Sequence, residues 1–212
     1  MTATQTADTC VWIDGVGGYL LSDRGECRIG SAAFASAADR PSDSSVIDAA
    51  IFADIPRHAF TLAARGETTV LQPDCPSVSL NGRPIAAATV LRSGDRIGVG
   101  ASVQLKFRKP NPLSETAVLT LLSRHRWLHS IDGVVLMGHC CLIGNTTDSH
   151  ILNAHTDREW MLTRSAGGWE VSPLAPRNLA GSSWRSQRHT LQPRDRFAGE
   201  GIQITLTEQT RA

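Results

Sequence analysis

The sequence of this 212-residue chain contains an internal repeat, which restricts the fold to one that two similar units can build. The tetrapeptide Ile-Asp-Gly-Val occurs at residues 13–16 and again, letter for letter, at 131–134. Further matches follow in the same order, at offsets that shrink from 118 to 99 along the chain. They pair Cys27 with Cys141, Arg57 with Arg158, Leu62 with Leu162, Asp95 with Asp195 and Leu105 with Ile204. An ordered series of this kind indicates two copies of one unit, the first of which carries extra loop residues.

Apolar and polar residues alternate in short runs, a pattern typical of half-buried strands. The clearest runs are 103–108 and 202–207, and each of them closes one copy of the repeat. No window of a dozen residues shows an apolar face of helical period, and turn-forming residues interrupt the runs about every 8–12 residues. The sequence therefore predicts an all-β fold of two tandem antiparallel sandwiches.

The boundary between the two units is predicted at a short proline-containing segment. Pro110 and Pro112 follow the closing strand of the first copy, where proline cannot continue a sheet ladder. We expect a first sandwich at 10–108 with a loop insertion at 32–45, a linker at 109–115, and a second, divergent sandwich at 116–208. The Ala, Ser, Asp and Pro residues of the insertion are those of a surface loop.

Charge and cysteine content exclude several classes of protein. The formal net charge is +1, so the chain lacks the excess of cations on which binding to nucleic acid or to anionic membranes depends. No apolar stretch approaches the roughly 20 residues that a membrane-spanning helix needs. The first nine residues are polar and do not resemble an export signal, and five cysteines do not suggest a disulfide framework. These features predict a bacterial-type cytoplasmic protein that binds neither nucleic acid nor membrane.

Catalytic patterns are missing from the sequence. The run His139-Cys140-Cys141 has no second pair at the spacing of a zinc site. The glycine-rich stretch at 15–18 follows a predicted strand, but no predicted helix follows it to bind a phosphate. No Gly-x-Ser-x-Gly elbow supports a hydrolase triad. We therefore expect no enzyme activity, no cofactor and no metal, and a small enzyme or ligand-binding protein is the least favoured alternative.

Four motifs in the first copy occur in an order that resembles the forkhead-associated (FHA) family of phosphothreonine-binding sandwiches. In that family an Ile-Gly-Arg turn is followed by a Ser-x-x-His loop, an Asn-Gly turn and a Gly-Asp-x-Ile-x-x-Gly stretch. The corresponding residues here are Ile29-Gly30-Ser31, Ile55-Pro56-Arg57-His58, Asn81-Gly82-Arg83 and Gly94-Asp95-Arg96-Ile97-Gly98-Val99-Gly100. The resemblance covers about residues 10–108 and implies peptide-binding loops at Ser31, Arg57, His58, Asn81, Gly82 and Arg83.

The same resemblance implies that the usual phosphate site is degenerate. Ser31 stands where the family has its arginine, Ile55 replaces the serine, and Pro56 and Pro76 stand at two further donor positions. Phosphate recognition needs strong donors, and these replacements remove them. His58 is retained, and Arg57 and Arg83 are neighbouring arginines that offer an alternative source of donors.

The second copy departs further from the family pattern. Its Ile143-Gly144 is followed by Asn145, and its loop reads Thr156-Asp157-Arg158-Glu159, with an acidic residue where the family has histidine. A carboxylate there repels phosphate. Asn145, Thr156 and Arg158 are the candidate loop residues of this copy.

The sequence thus predicts a non-catalytic protein–protein interaction or scaffold module of two FHA-like units, without standard phosphothreonine binding. The partner is expected to be a protein, and no oligomeric state is predicted. The alternative function is residual phosphothreonine-peptide recognition by the N-terminal unit in Ser/Thr kinase signalling, in which case the partner is phosphorylated. Trp127 and Trp184, near predicted turns, are candidate surface anchors for a partner.

Overall fold

A computed structural model describes residues 8–32, 47–174 and 188–209 of the chain. Within these residues the regular structure is β-strand, with no α-helix and a 3-10 turn at Leu128–Ser130. The all-β prediction is therefore confirmed. The described part of the chain has no helix of the length and apolar character needed to span a bilayer.

The strands follow one another along both halves of the chain. The first half contributes β1 Asp8–Ile13, β2 Gly17–Ser22, β3 Glu26–Ser31, β4 Ala49–Phe52, β5 Phe60–Arg65, β6 Thr68–Pro73, β7 Val78–Leu80, β8 Arg83–Pro84, β9 Thr89–Val90, β10 Arg96–Val99 and β11 Val103–Arg108. The second half contributes β12 Ala117–Leu121, β13 Arg126–Trp127, β14 Gly133–Leu136, β15 Cys140–Gly144, β16 Ile151–Leu152, β17 Trp160–Ser165, β18 Gly168–Pro173, β19 His189–Leu191, β20 Arg196–Gly199 and β21 Ile202–Gln209.

These strands form three sheets. A ten-stranded sheet has the order β20-β21-β1-β2-β14-β12-β11-β10-β7-β8. A six-stranded sheet has the order β13-β4-β3-β5-β6-β9, and a five-stranded sheet has the order β16-β15-β17-β18-β19. The ten-stranded sheet thus contains strands from both halves of the chain, whereas the five-stranded sheet belongs to the second half alone.

The ten-stranded sheet is the middle of three layers. Cys10 and Leu20, on β1 and β2, pack in a core shared with the six-stranded sheet. The adjacent Val11 and Leu21 pack in a second core, shared with the five-stranded sheet. Because successive side chains of a strand point to opposite faces, the two outer sheets cover opposite faces of the middle one. The central strands are therefore buried on both sides.

The opening strands are exchanged between the two halves. Strand β1 pairs antiparallel with β21, the last strand of the second half, with Val11 opposite Leu206. Strand β12 pairs antiparallel with β11, the last strand of the first half, with Leu119 opposite Phe107. Between these pairs, β2 and β14 lie side by side in parallel orientation. Each half thus places its opening strand beside the closing strand of the other half, and β2 and β14 join the two halves at the centre of the sheet.

The sequence predicts two tandem sandwiches, at 10–108 and 116–208, and does not predict that their opening strands are exchanged. The predicted linker at 109–115 falls within the connection between β11 and β12, and buried Thr116 leads into β12. The predicted insertion at 32–45 lies outside the described residues, except for the buried Ala32. A sequence repeat does not determine which of two equivalent strand edges an opening strand will pair with, because both copies offer the same edge.

From the third strand onward the repeat is also a structural one. Cys27 lies opposite Leu62 in the pair β3–β5, and Cys141 lies opposite Leu162 in the pair β15–β17. Each cysteine strand also has a short parallel neighbour, β4 in the first half and β16 in the second. The matched letters of the sequence thus occupy matched positions in the two outer sheets.

The identical tetrapeptides, by contrast, do not occupy equivalent positions. The first, at 13–16, ends β1 and begins the turn to β2, whereas Gly133 and Val134 of the second lie within β14. Strand β14 places these residues directly opposite Tyr19 and Leu20 of β2. The connection between β12 and β14, which contains β13, is longer than the turn between β1 and β2, and this shifts the tetrapeptide out of register.

Candidate functional site

The structure brings together the first two predicted loops of the N-terminal half. Ser31 is the last residue of β3, and Arg57 and His58 lie in the connection between β4 and β5. The backbone N–H of Ser31 donates to the carbonyl oxygen of Pro56, at 3.2 Å. A Cβ atom at Gly30 would lie only 1.6 Å from the carbonyl oxygen of Arg57, so this loop crosses the end of β3 at a position that only glycine permits.

The hydroxyl of Ser31 is not available to a ligand. The residue has no exposed surface, and its Oγ donates to the carbonyl oxygen of Ala53 at 2.8 Å. This bond ties the end of β3 to the loop that follows β4. Ser31 therefore stabilises the loop instead of presenting a donor at the surface.

Arg57 and His58 are both half-buried. The Nε atom of Arg57 is buried and forms no hydrogen bond with the described residues. A buried, unpaired donor on a charged group is costly, so an acceptor that reached this atom would stabilise the loop.

The third predicted loop serves a different part of the fold. Asn81 and Gly82, with φ angles of 52° and 79°, form the two-residue turn between β7 and β8. The Asn81 Nδ2 atom donates to Asp95 Oδ1 at 2.8 Å, and its Oδ1 atom accepts from the backbone N–H of Arg96 at 2.9 Å. Arg83, the first residue of β8, is exposed. The side chain of Asn81 is thus occupied in holding its hairpin to the turn before β10.

In the second half, the candidate hydroxyl is buried in the same way as that of Ser31. Thr156 is 1 % exposed, and its Oγ1 accepts from the backbone N–H of Arg158 and lies 3.2 Å from the carbonyl oxygen of Glu200. The guanidinium of Arg158 pairs with the carboxylate of Glu200 at 2.8 Å on the exposed surface. Asn145 is exposed at the end of β15.

Glu159, which the resemblance places at the histidine position of the FHA family, accepts hydrogen bonds from the neighbouring loop. Its Oε1 atom accepts hydrogen bonds from the hydroxyls of Thr146 and Ser149. These hydrogen bonds engage two hydroxyl groups of the neighbouring loop, and the negative charge of the carboxylate disfavours an anionic ligand.

A short segment of the second half pairs with a strand of the first half. Strand β13 adds to the edge of the six-stranded sheet, with Trp127 opposite Ile51 and Arg126 opposite Phe52. Trp127 is only 2 % exposed, so its predicted role as a surface anchor is wrong. An indole near a predicted turn was expected at the surface, but the added strand β13 carries it into the core. Trp184 lies outside the described residues.

A buried polar cluster joins the two halves, and no motif in the sequence indicates it. Arg108, the last residue of β11, donates through Nη1 to the carbonyl oxygen of Ser149 at 2.9 Å and through Nη2 to that of His150. The His150 ring is 1 % exposed, with Nε2 2.9 Å from the Ser114 Oγ and Nδ1 accepting from the backbone N–H of Leu142. A polar residue in a loop gives no sequence signal of such a contact.

The environment of the cluster alters its ionisation. Burial, the larger cause, and the nearby positive charge of Arg108 together lower the pKa of His150 to about 4. Burial also lowers the pKa of Arg108. Since Nδ1 accepts a hydrogen bond from an amide, the imidazole is neutral with its proton on Nε2, from which it donates to Ser114.

Two adjacent cysteines of the second half have perturbed thiols. Burial raises the pKa of both Cys140 and Cys141, which makes the reactive thiolate form scarce. No group of three or more histidine, cysteine or acidic side chains in the described ranges is placed to hold a metal ion.

No protein-family model matches the chain, and no curated protein is significantly similar to it in sequence.

Proposed function

We propose that this protein is a non-catalytic protein–protein interaction module, built from two FHA-like units that lack a standard phosphothreonine site. The observation that carries this proposal is the state of the two candidate hydroxyls. Ser31 and Thr156 are both buried, and the hydroxyl of each is hydrogen-bonded to backbone groups of the protein. A phosphate oxygen would have to displace these contacts and bring the hydroxyl to the surface.

The remaining groups supply few replacement donors. The side-chain amide of Asn81 is hydrogen-bonded to Asp95 and to the backbone N–H of Arg96, and the guanidinium of Arg158 is paired with Glu200. Each charge-assisted hydrogen bond missing from a phosphate site removes about 1.5–3 kcal/mol, and 1.4 kcal/mol is a factor of ten in affinity. Three missing donors, about 4.5–9 kcal/mol in total, would therefore move micromolar recognition to millimolar or weaker.

Calorimetric titration of the whole chain with a phosphothreonine peptide library tests the loss of phosphate recognition. Each peptide that binds is measured again in its unphosphorylated form. We expect the two forms to bind alike. A phosphate-dependent dissociation constant below about 50 μM would contradict the proposal.

The interaction role needs a partner, and capture from a cell lysate provides the test. The chain is immobilised and exposed to two portions of the lysate, one of them treated with a phosphatase. We expect the same protein to be retained from both portions. A scaffold role would be contradicted if no protein is retained whose binding to the immobilised chain is reduced by adding free chain.

Residual phosphopeptide recognition by the N-terminal half is the second candidate, because the buried Nε of Arg57, beside the Ser31 loop, has no hydrogen-bond partner among the described residues. Under this alternative, Arg57→Ala would abolish phosphate-dependent binding. Arg65→Ala is the matched control, since Arg65 is an exposed arginine at the far end of β5 that pairs with Glu26. Equal effects of the two substitutions would exclude a specific role for Arg57.

A further inference from the structure

The strand exchange is reciprocal in its register as well as in its order. The residue of β11 that faces Thr120 is Lys106. In the repeat, Lys106 corresponds to Thr205 of β21, and Thr205 faces Trp12 of β1. Corresponding residues of the two closing strands therefore pair with the opening strand of the other half.

Both closing strands would be left with an open edge if the halves came apart. Strand β21 is bounded by β20 and β1, and β11 is bounded by β10 and β12. Separation would remove β1 from the edge of β21 and β12 from the edge of β11. It would also break the parallel pair β2–β14. Open edges with unpaired amides and carbonyls are a strong drive toward pairing.

Separation would also expose apolar surface on both faces of the central strands. Leu20 and Val134 pack in the core beneath the six-stranded sheet, and Leu21 and Val135 pack in the core beneath the five-stranded sheet. Neither core is complete without side chains from the opening strands of both halves. The two halves thus depend on each other through two cores at once.

We propose that each half is the obligatory binding partner of the other, and that the exchange occurs within one chain because the connection at 109–116 closes β11 and β12 into a hairpin. The halves remain one 22.8 kDa body even when this connection is cut. The inference concerns assembly and does not depend on the proposed function.

The pairing is tested by cysteine cross-linking in the full chain. Paired Cα atoms of antiparallel strands lie about 4.5–5.5 Å apart, within the range that a disulfide bridges. The variant Lys106→Cys/Thr120→Cys places cysteines on partners of the exchanged arrangement. The matched control is Thr205→Cys/Thr120→Cys, whose residues would be partners only if each half kept its own strands. Both are made with Cys75 and Cys140 replaced by serine, because these native thiols are only partly buried.

We expect a disulfide in the first variant and none in the control. The opposite result would overturn the exchange. A covalent dimer on a denaturing gel would show exchange between two chains and would overturn the role given to the connection.

Cleavage of the connection tests the mutual dependence of the halves. A protease recognition sequence is inserted between Pro112 and Leu113, the latter 74 % exposed. After cleavage, the native mass should remain that of the intact chain, and two fragments should appear only in denaturant. Fragments that elute separately under native conditions would refute the proposal. In the cross-linked variant, the cleaved fragments should stay together in denaturant until a reductant is added.

Discussion

Acidification should destabilise this protein through one buried imidazole, that of His150. The unfolded chain binds a proton at this residue near pH 6.5, whereas burial and Arg108 lower the pKa of the folded state to about 4. Between these values the unfolded state binds more protons than the folded state, so stability falls as the pH decreases. Above pH 6.5 the imidazole is neutral in both states and contributes no pH dependence.

The size of the effect follows from the two pKa values. Since one pKa unit corresponds to 1.36 kcal/mol, lowering the pH from 7 to 5 should cost about 2 kcal/mol through this residue alone. The geometry agrees, because a proton on Nδ1 would break the bond from the Leu142 amide and place a second positive charge beside Arg108.

Urea unfolding at pH 7, 6 and 5 measures the free energy, with His150→Gln as the non-titrating variant. We expect the wild type to lose about 2 kcal/mol more than this variant between pH 7 and 5. His139→Gln is the matched control, since the side chain of His139 is 92 % exposed and makes only a surface contact with Glu115. Parallel pH profiles for the wild type and His150→Gln would refute the reasoning.

Three further predictions concern stability and reactivity. Gly30→Ala should destabilise the fold by more than about 3 kcal/mol, because the added Cβ meets a backbone carbonyl at 1.6 Å, whereas Gly167→Ala, with its nearest neighbour at 3.8 Å, should change the unfolding free energy by less than about 1 kcal/mol. Arg108→Ala should cost about 2–4 kcal/mol in urea unfolding, because it leaves two buried carbonyls without their charged donor, and a loss below about 0.5 kcal/mol would contradict this role. A thiol reagent should modify at most Cys75 and Cys140 in the native protein and all five cysteines after unfolding, and native labelling of a third thiol would show that the cores open.

The strands were predictable wherever one face of a strand is solvated. At β11 the buried Val103 and Leu105 alternate with the exposed Gln104 and Lys106, as the sequence pattern requires. The strands at the centre of the ten-stranded sheet are buried on both faces, so their sequences do not alternate, and β14 is buried throughout. Such a run does not reveal which strand lies beside it.

The meeting of two of the three predicted loops of the first half was predictable, but the hydrogen-bond partners of their side chains were not. The sequence indicated which loops meet near Ser31, and the structure brings Pro56 and Arg57 there. It could not show that the Ser31 hydroxyl bonds to Ala53, because any serine carries the same donor and only the backbone geometry decides its partner. The burial of Trp127 was missed for a related reason, since a two-residue strand such as β13 is too short to show a periodic pattern.

The pairing of β1 with β21 has a consequence for synthesis on the ribosome. Trp12 and Thr205, which face each other in the finished sheet, are separated by nearly the whole chain. At about 5–20 residues per second, β1 waits roughly 10–40 s for its partner to be made. The edge of β1 therefore stays unpaired in the growing chain until β21 has left the ribosome.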